Sequence, residues 1–173
     1  MKKLVLFILI PAPIIALLYF SLTRDPRTLP SSLLGRQAPD FQLKTLEGED
    51  VVLSHLFGKP IVLNFWSTWC NSCEAEYQLL RQAYEVYSQQ GVQFLEILYE
   101  DTPEEAQSFI AKQGKAAPTL LDPGLKTSIN YGVSGVPETF FINKEGTILY
   151  KQSGVLTSDI LEWQLDRLTR ELP

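Results

Sequence analysis

The chain of 173 residues contains two cysteines, and they stand together as Cys70-Asn71-Ser72-Cys73. A framework of structural disulfides needs partners scattered along the chain, so thiols confined to one such unit point to chemistry. The pair sits where a strand-like run, PIVLNFW, gives way to residues with helical spacing. A helix starting at Cys70 would set that sulfur over unpaired backbone N–H groups and the positive end of the helix dipole, which favour thiolate over thiol. Cys70 is therefore expected to attack as the nucleophile. Cys73 comes round to the same face, within disulfide reach and deeper, and is expected to resolve the mixed disulfide. Glu76 shares that face. A carboxylate there disfavours a neighbouring thiolate and can carry its proton, although Glu76, like Glu74, could instead only complement the helix dipole. Trp69, next to Cys70, is expected to wall a docked peptide, whereas Trp66 fits the core.

Other uses of a close cysteine pair fit less well. A tetrahedral zinc site wants about four Cys or His ligands, and His55 is the only histidine. A purely structural disulfide here would close a loop too small to constrain the unfolded chain much. A copper chaperone would want nearby histidine or methionine ligands. No metal and no cofactor beyond a redox-active Cys70–Cys73 disulfide is expected. The formal charge is -5, with no Lys or Arg run beyond Lys2 and Lys3, which excludes an electrostatic footprint for nucleic acid.

The elements that must hold these residues follow from periodicity. FQLKTLEGEDVVLSHL alternates around Glu47 and Gly48 as a β-hairpin does. PIVLNFW and VQFLEIL read as buried strands, and the helix between them, with Ala75, Leu79, Leu80, Ala83, Val86 and Tyr87 as its apolar stripe and Gly91 after it, makes them a parallel pair. A second helix is predicted to start at Thr102 with Pro103 in its first turn and Glu105 completing a capping box, and to stop at Gly114. A short strand in AAPTLLD, a short helix in GLKTSINY, a hairpin turning at Asn143 to Gly146 and a last helix over 158–170 with the stripe Ile160, Leu161, Leu165 and Leu168 complete the pattern. The fold class is α/β, a mixed sheet parallel at its centre with helices on both faces.

Upstream, residues 4–22 are apolar or weakly polar, close to the ~20 needed to cross a bilayer. Lys2 and Lys3 before that run place the start in the cytoplasm and the rest outside. A cleaved signal peptide is the alternative, but 19–23 offers no Ala-x-Ala site and the run is longer than a usual signal. Pro11 and Pro13 would kink such a helix. The expected organisation is a transmembrane signal anchor over 1–23, a proline-containing spacer over 24–33 with Pro26 and Pro30, and one domain over 34–173.

FWSTWCNSCEAE together with GVSGVPETFFINKEG resembles the thioredoxin-like superfamily, and within it the membrane-anchored reductases of cytochrome c maturation, the CcmG/DsbE and ResA group of TlpA-like proteins. The resemblance runs from about Leu34 to the end. It implies a thioredoxin-like fold with an N-terminal hairpin extension, a cis proline at Pro137 lying against the disulfide, and a backbone at Val136 that pairs with incoming peptide. It also implies that Asn64 stands where thioredoxin carries a buried aspartate, that Glu76 is an active-site acid, and that Glu138 belongs to a Pro-Glu-Thr signature; by itself Glu138 could be a solvated strand end. The group often has proline between its cysteines, where this chain has Asn71 and Ser72.

The resemblance implies a reductase in the bacterial periplasm, held to the inner membrane, that acts on apocytochrome c or a maturation protein with a Cys-x-x-Cys disulfide. Such a reductant must be recharged, so a membrane electron donor of the DsbD/CcdA type is expected. Three alternatives remain: a disulfide oxidase or isomerase, a general reductase of the TlpA kind serving copper-oxidase assembly, and a non-catalytic docking module.

Overall fold

The structure, a computed structural model, describes residues 11–22 and 32–170. The expected membrane span over 4–22 and spacer over 24–33 therefore lie partly outside the described residues. Within them is α1 (Pro11–Leu22), whose Ile14, Ile15, Leu17, Leu18 and Tyr19 are exposed. Among the described residues no helix is long and apolar enough to cross a membrane.

The strands are β1 (Gln42–Thr45), β2 (Asp50–Val52), β3 (Ile61–Trp66), β4 (Gln93–Leu98), β5 (Thr119–Leu121), β6 (Glu138–Ile142) and β7 (Ile148–Ser153). They form one sheet in the order β2-β1-β5-β4-β3-β6-β7. β3, β4 and β5 are parallel, while β6, β7 and the β1–β2 hairpin join antiparallel. Every residue of β3 is buried, as expected of a strand covered on both faces.

The helices are α2 (Asn71–Tyr87), α3 (Pro103–Gln113), α4 (Lys126–Asn130) and α5 (Ser158–Arg170). Helix α3 starts at the expected place: Thr102 accepts from the Glu105 N–H, Pro103 occupies the first turn, and Gly114 ends the helix at φ +83°. The Thr102 N–H donates to Asp101 Oδ1 at 2.7 Å instead of to Glu105, so the expected capping box is half formed. One face of the sheet, carrying Val62, is covered by α2 and α5 through Leu80, Ala83, Leu161, Leu165 and Leu168. The other carries Ile61, Leu63 and Phe65, packed with Ala38, Phe41, Leu53, Tyr131 and Phe140. Alternation along β3 therefore decides which core each residue joins.

Two apolar stripes differ from the sequence expectation. In α2 the inward face is Cys73, Glu76, Tyr77, Leu80 and Ala83, while Ala75 and Val86 are exposed. Counting apolar residues rotated the stripe because Glu76, which is polar, lies at the centre of the buried face. In α5, Gln164 is fully buried and Ile160 only partly so.

Candidate active site

Cys70 is the residue that caps α2 rather than its first residue. Its backbone is extended, at φ -93° and ψ 101°, and its Sγ accepts the Cys73 N–H at 3.0 Å. This is the place on a helix where the protein supplies unpaired N–H donors and positive potential, and the sulfur here has taken one of those donors. Cys70 and Cys73 are joined as a disulfide with Cα atoms 5.2 Å apart, and both are buried.

The loop leading into the pair is tied to the chain just after β4. Ser67 Oγ donates to the Tyr99 carbonyl. Asp101 Oδ2 accepts from the Thr68 N–H at 2.7 Å and from its hydroxyl at 2.6 Å. Trp69 Nε1 donates to the Glu100 carbonyl at 3.0 Å while 56% of the residue stays exposed, so its ring is available at the rim. Trp66 is buried instead, tilted against Tyr77 and Phe109 at centroid distances of 5.6 and 5.2 Å, and those two rings meet edge to face at 4.9 Å. These rings and the two cysteines share one cluster. Each such ring pair adds about 1 kcal/mol beyond its buried area, so the disulfide rests on a stiff aromatic base.

Facing Cys70 is the loop before β6. The Val136–Pro137 bond is cis, and the Val136 carbonyl oxygen lies 3.5 Å from Cys70 Sγ. A cleft of about 150 Å³ opens here between Ser72, Val136, Pro137 and Gly154. A larger hollow of about 880 Å³, between the β1–β2 hairpin and Pro103, Leu121 and Leu125, includes neither cysteine.

Two acids of the region are buried, in different settings. Glu76 is 2% exposed. Its Oε1 accepts from Asn64 Nδ2 at 3.0 Å and its Oε2 from the Leu156 N–H. Asn64 also donates to Thr139 Oγ1 at 2.9 Å, so its side chain bridges helix and sheet. Burial pushes the Glu76 carboxyl up to about 7, against the pull of those two donors. Glu76 is therefore not a solvated residue of the helix surface. Glu138 is not a solvated strand end either: it is 3% exposed, and Lys151 Nζ lies 2.8 Å from its Oε2. That ammonium also sits 5.1 Å from the Phe140 ring centroid.

The site thus combines a disulfide at a helix N-terminus, an opposing carbonyl within reach of the outer sulfur, and a buried acid whose proton is exchangeable near neutral pH. That set can break and form disulfides, and an acid on the helical face of Cys73 can exchange a proton. Among the described residues no group of three His, Cys, Asp or Glu could hold a metal ion.

Proteins similar to this chain are named for thiol–disulfide exchange. Residues 34–151 match the AhpC/TSA family, and the chain belongs to it. It is 36% identical over 156 residues to the thiol:disulfide interchange protein HelX of Rhodobacter capsulatus, covering 87% of this chain and 85% of that one. It is 36% identical over 149 residues to the interchange protein DsbE of Allochromatium vinosum, covering 84% and 80%. Against the thiol-disulfide oxidoreductase ResA of Bacillus anthracis the identity is 34% over 136 residues, 79% of each chain. Two solved structures superpose well: a thiol:disulfide interchange protein assigned as DsbE from Chlorobium tepidum, with TM-score 0.73, 30% identity and 79% and 97% coverage, and a secreted Mycobacterium tuberculosis disulfide oxidoreductase homologous to DsbE, with TM-score 0.67, 28% identity and 74% and 96% coverage. The fold is thioredoxin-like, and the chain is a thiol–disulfide oxidoreductase of the DsbE, HelX and ResA type.

Sequence reasoning placed Cys70, Cys73, Glu76, Trp69, Val136, Pro137 and Glu138 at the site, and the structure brings these regions together. It missed Lys151, which carries no local signal. It also missed Glu96, whose signal was visible as a lone charge inside the apolar run VQFLEIL.

Proposed function

We propose that the chain is an extracytoplasmic reductase, anchored to the inner membrane by residues 4–22, that reduces a disulfide in apocytochrome c or its haem-ligation partner. Cys70 attacks the substrate disulfide and Cys73 resolves the mixed disulfide, while Glu76 carries the proton of Cys73. Trp69, Val136 and Pro137 receive the peptide, and Glu138 supports the loop that presents them. A donor of the DsbD/CcdA type returns the electrons through the membrane.

The observation that carries the reducing direction is the buried Glu76, with no cation among its hydrogen-bond partners, on the helical face of Cys73. An acid there destabilises the thiolate and so favours the oxidised pair, which makes the reduced protein a better donor of electrons. The cytochrome c substrate rests on the resemblance to the maturation reductases, and the anchor on the apolar segment, whose described side chains in α1 are exposed.

The test is the equilibrium reduction potential of the Cys70/Cys73 pair in the full chain, poised in thiol buffers and read by alkylation. A value near that of thioredoxin, about -270 mV, is expected. A value near that of DsbA, about -120 mV, would overturn the reductase and make the chain a donor of disulfides. Reduction of an oxidised Cys-x-x-Cys-His peptide, abolished in Cys70→Ser, checks the substrate class.

A further inference from the structure

A second acid lies deeper than Glu76. Glu96, in the middle of β4, is 2% exposed, and it stands in register with Asn64 on β3 and Thr119 on β5. Thr139, Asn64, Glu96 and Thr119 therefore form one polar row across four strands, on the sheet face that α2 covers with Glu76. Thr119 Oγ1 donates to Glu96 Oε2 at 3.2 Å. The Ala117 N–H also reaches the carboxyl. Glu96 Oε1 has no hydrogen-bond partner among the described residues.

The ionisable groups that act on Glu96 are Glu76 and Tyr77 from α2 and Lys115 from the connection before β5. Lys115 is 45% exposed and paired with Glu47, so it gives little compensation inside. Tyr77 holds its hydroxyl between the Gly114 carbonyl and the Ala116 N–H and stays neutral. Glu76 is the other acid. Two carboxyls in one dry site with no buried cation do not both ionise readily. Burial and the charge of Glu76 push Glu96 up to about 8. A space-filling role would be met at lower cost by glutamine or leucine, neither of which buries an ionisable group.

We propose that Glu96 is a positioning residue for proton transfer at Cys73: while protonated it holds the Glu76–Glu96 pair to at most one negative charge, and on ionising it adds a second charge that the inner sulfur meets. The inference rests on thiol–disulfide exchange at the cysteine pair and is independent of the cytochrome c substrate. When a dithiol reduces the pair, two electrons break the Cys70–Cys73 bond and the donor's own disulfide forms. The two thiol protons of the donor balance the two thiols gained. Cys73 leaves as a thiolate and takes its proton from Glu76, which becomes the pair's one carboxylate and is reprotonated at the donor's expense. In the reverse direction Glu76 receives that proton. An ionised Glu96 would add a second charge and hold Cys73 as the thiol.

The test compares the pH dependence of Cys73 alkylation in the full chain, with Cys70→Ser as background, before and after Glu96→Gln. The expected result is a fall of about half a pH unit or more in the Cys73 midpoint, because glutamine removes the charge that Glu96 adds as it ionises alongside Cys73. Thr119→Val keeps both acids and withdraws a donor from the Glu96 carboxylate, so it should lower the Cys73 midpoint in the same direction by less. It also serves as the reporter if Glu96→Gln does not fold. Unchanged Cys73 midpoints in these variants, with Glu76→Gln still shifting it, would overturn the role of Glu96 and leave the oxidoreductase intact. Absence of exchange in the unmodified chain would instead defeat the reading on which the inference depends.

Discussion

Glu76 and Glu138 are two glutamates buried to the same depth within one site, yet the protein treats them in opposite ways. Glu138 leaves β6 on the face of Phe65 and Phe140 and meets the ammonium of Lys151. Glu76 sits over the opposite face and receives only the neutral donors of Asn64 and Leu156. Depth alone does not decide the charge of a buried carboxyl; the available partner does. An acid fixed by a cation can support a loop, whereas an acid left with neutral donors can pass a proton near pH 7.

The largest effect is expected from breaking the compensated side. Lys151→Met leaves Glu138 buried beside no cation, a loss of about 3–5 kcal/mol in urea unfolding. Adding Glu138→Gln should recover most of it. A loss below about 1 kcal/mol for Lys151→Met would show that the pair does not hold this face together.

On the uncompensated side, Glu76→Gln should lower the rate of disulfide exchange at neutral pH on the order of 10²-fold while leaving the fold in place. Its stability signature has a definite sign. The folded carboxyl, at about 7, lies above its ordinary value of 4.5, so between those values the native state holds a proton that the unfolded chain has released. Stability is fully present below about 4.5 and falls as pH rises toward 7. Glu76→Gln should flatten that fall, and pH-dependent unfolding of the two proteins checks it. Parallel pH profiles would mean that Glu76 titrates as it would in water.

The smallest effect on stability belongs to the rim. Trp69 is mostly exposed and loses one hydrogen bond, to Glu100, on replacement, so Trp69→Ala should cost no more than about 1 kcal/mol. Its consequence should appear as a raised KM for a peptide disulfide with little change in kcat. An unchanged KM would remove Trp69 from the docking surface and confine recognition to the cis-proline side.

Much of this molecule was legible along the chain because the signals were local. Thr102, Pro103 and Gly114 bound α3 as their backbone preferences require, and Glu47 and Gly48 turn the first hairpin. The close cysteine pair between an apolar strand and a helix announced its chemistry. The stripe of α2 was misread because the inward face carries an acid, and hydrophobic counting has no means to place one there.

Sequence by itself determined where the sulfurs stand: a cysteine spacing, a cap and a helix start are set within a few residues, where backbone geometry leaves few choices. Tertiary structure alone decided what surrounds them. The Leu156 N–H reaches Glu76 from 80 residues away, Asn64 meets Thr139 across 75, and Lys151 finds Glu138 through the pairing of β6 with β7. Burial and charge compensation are properties of what packs around a group, so the two acids became different only when the sheet and its helices closed over them.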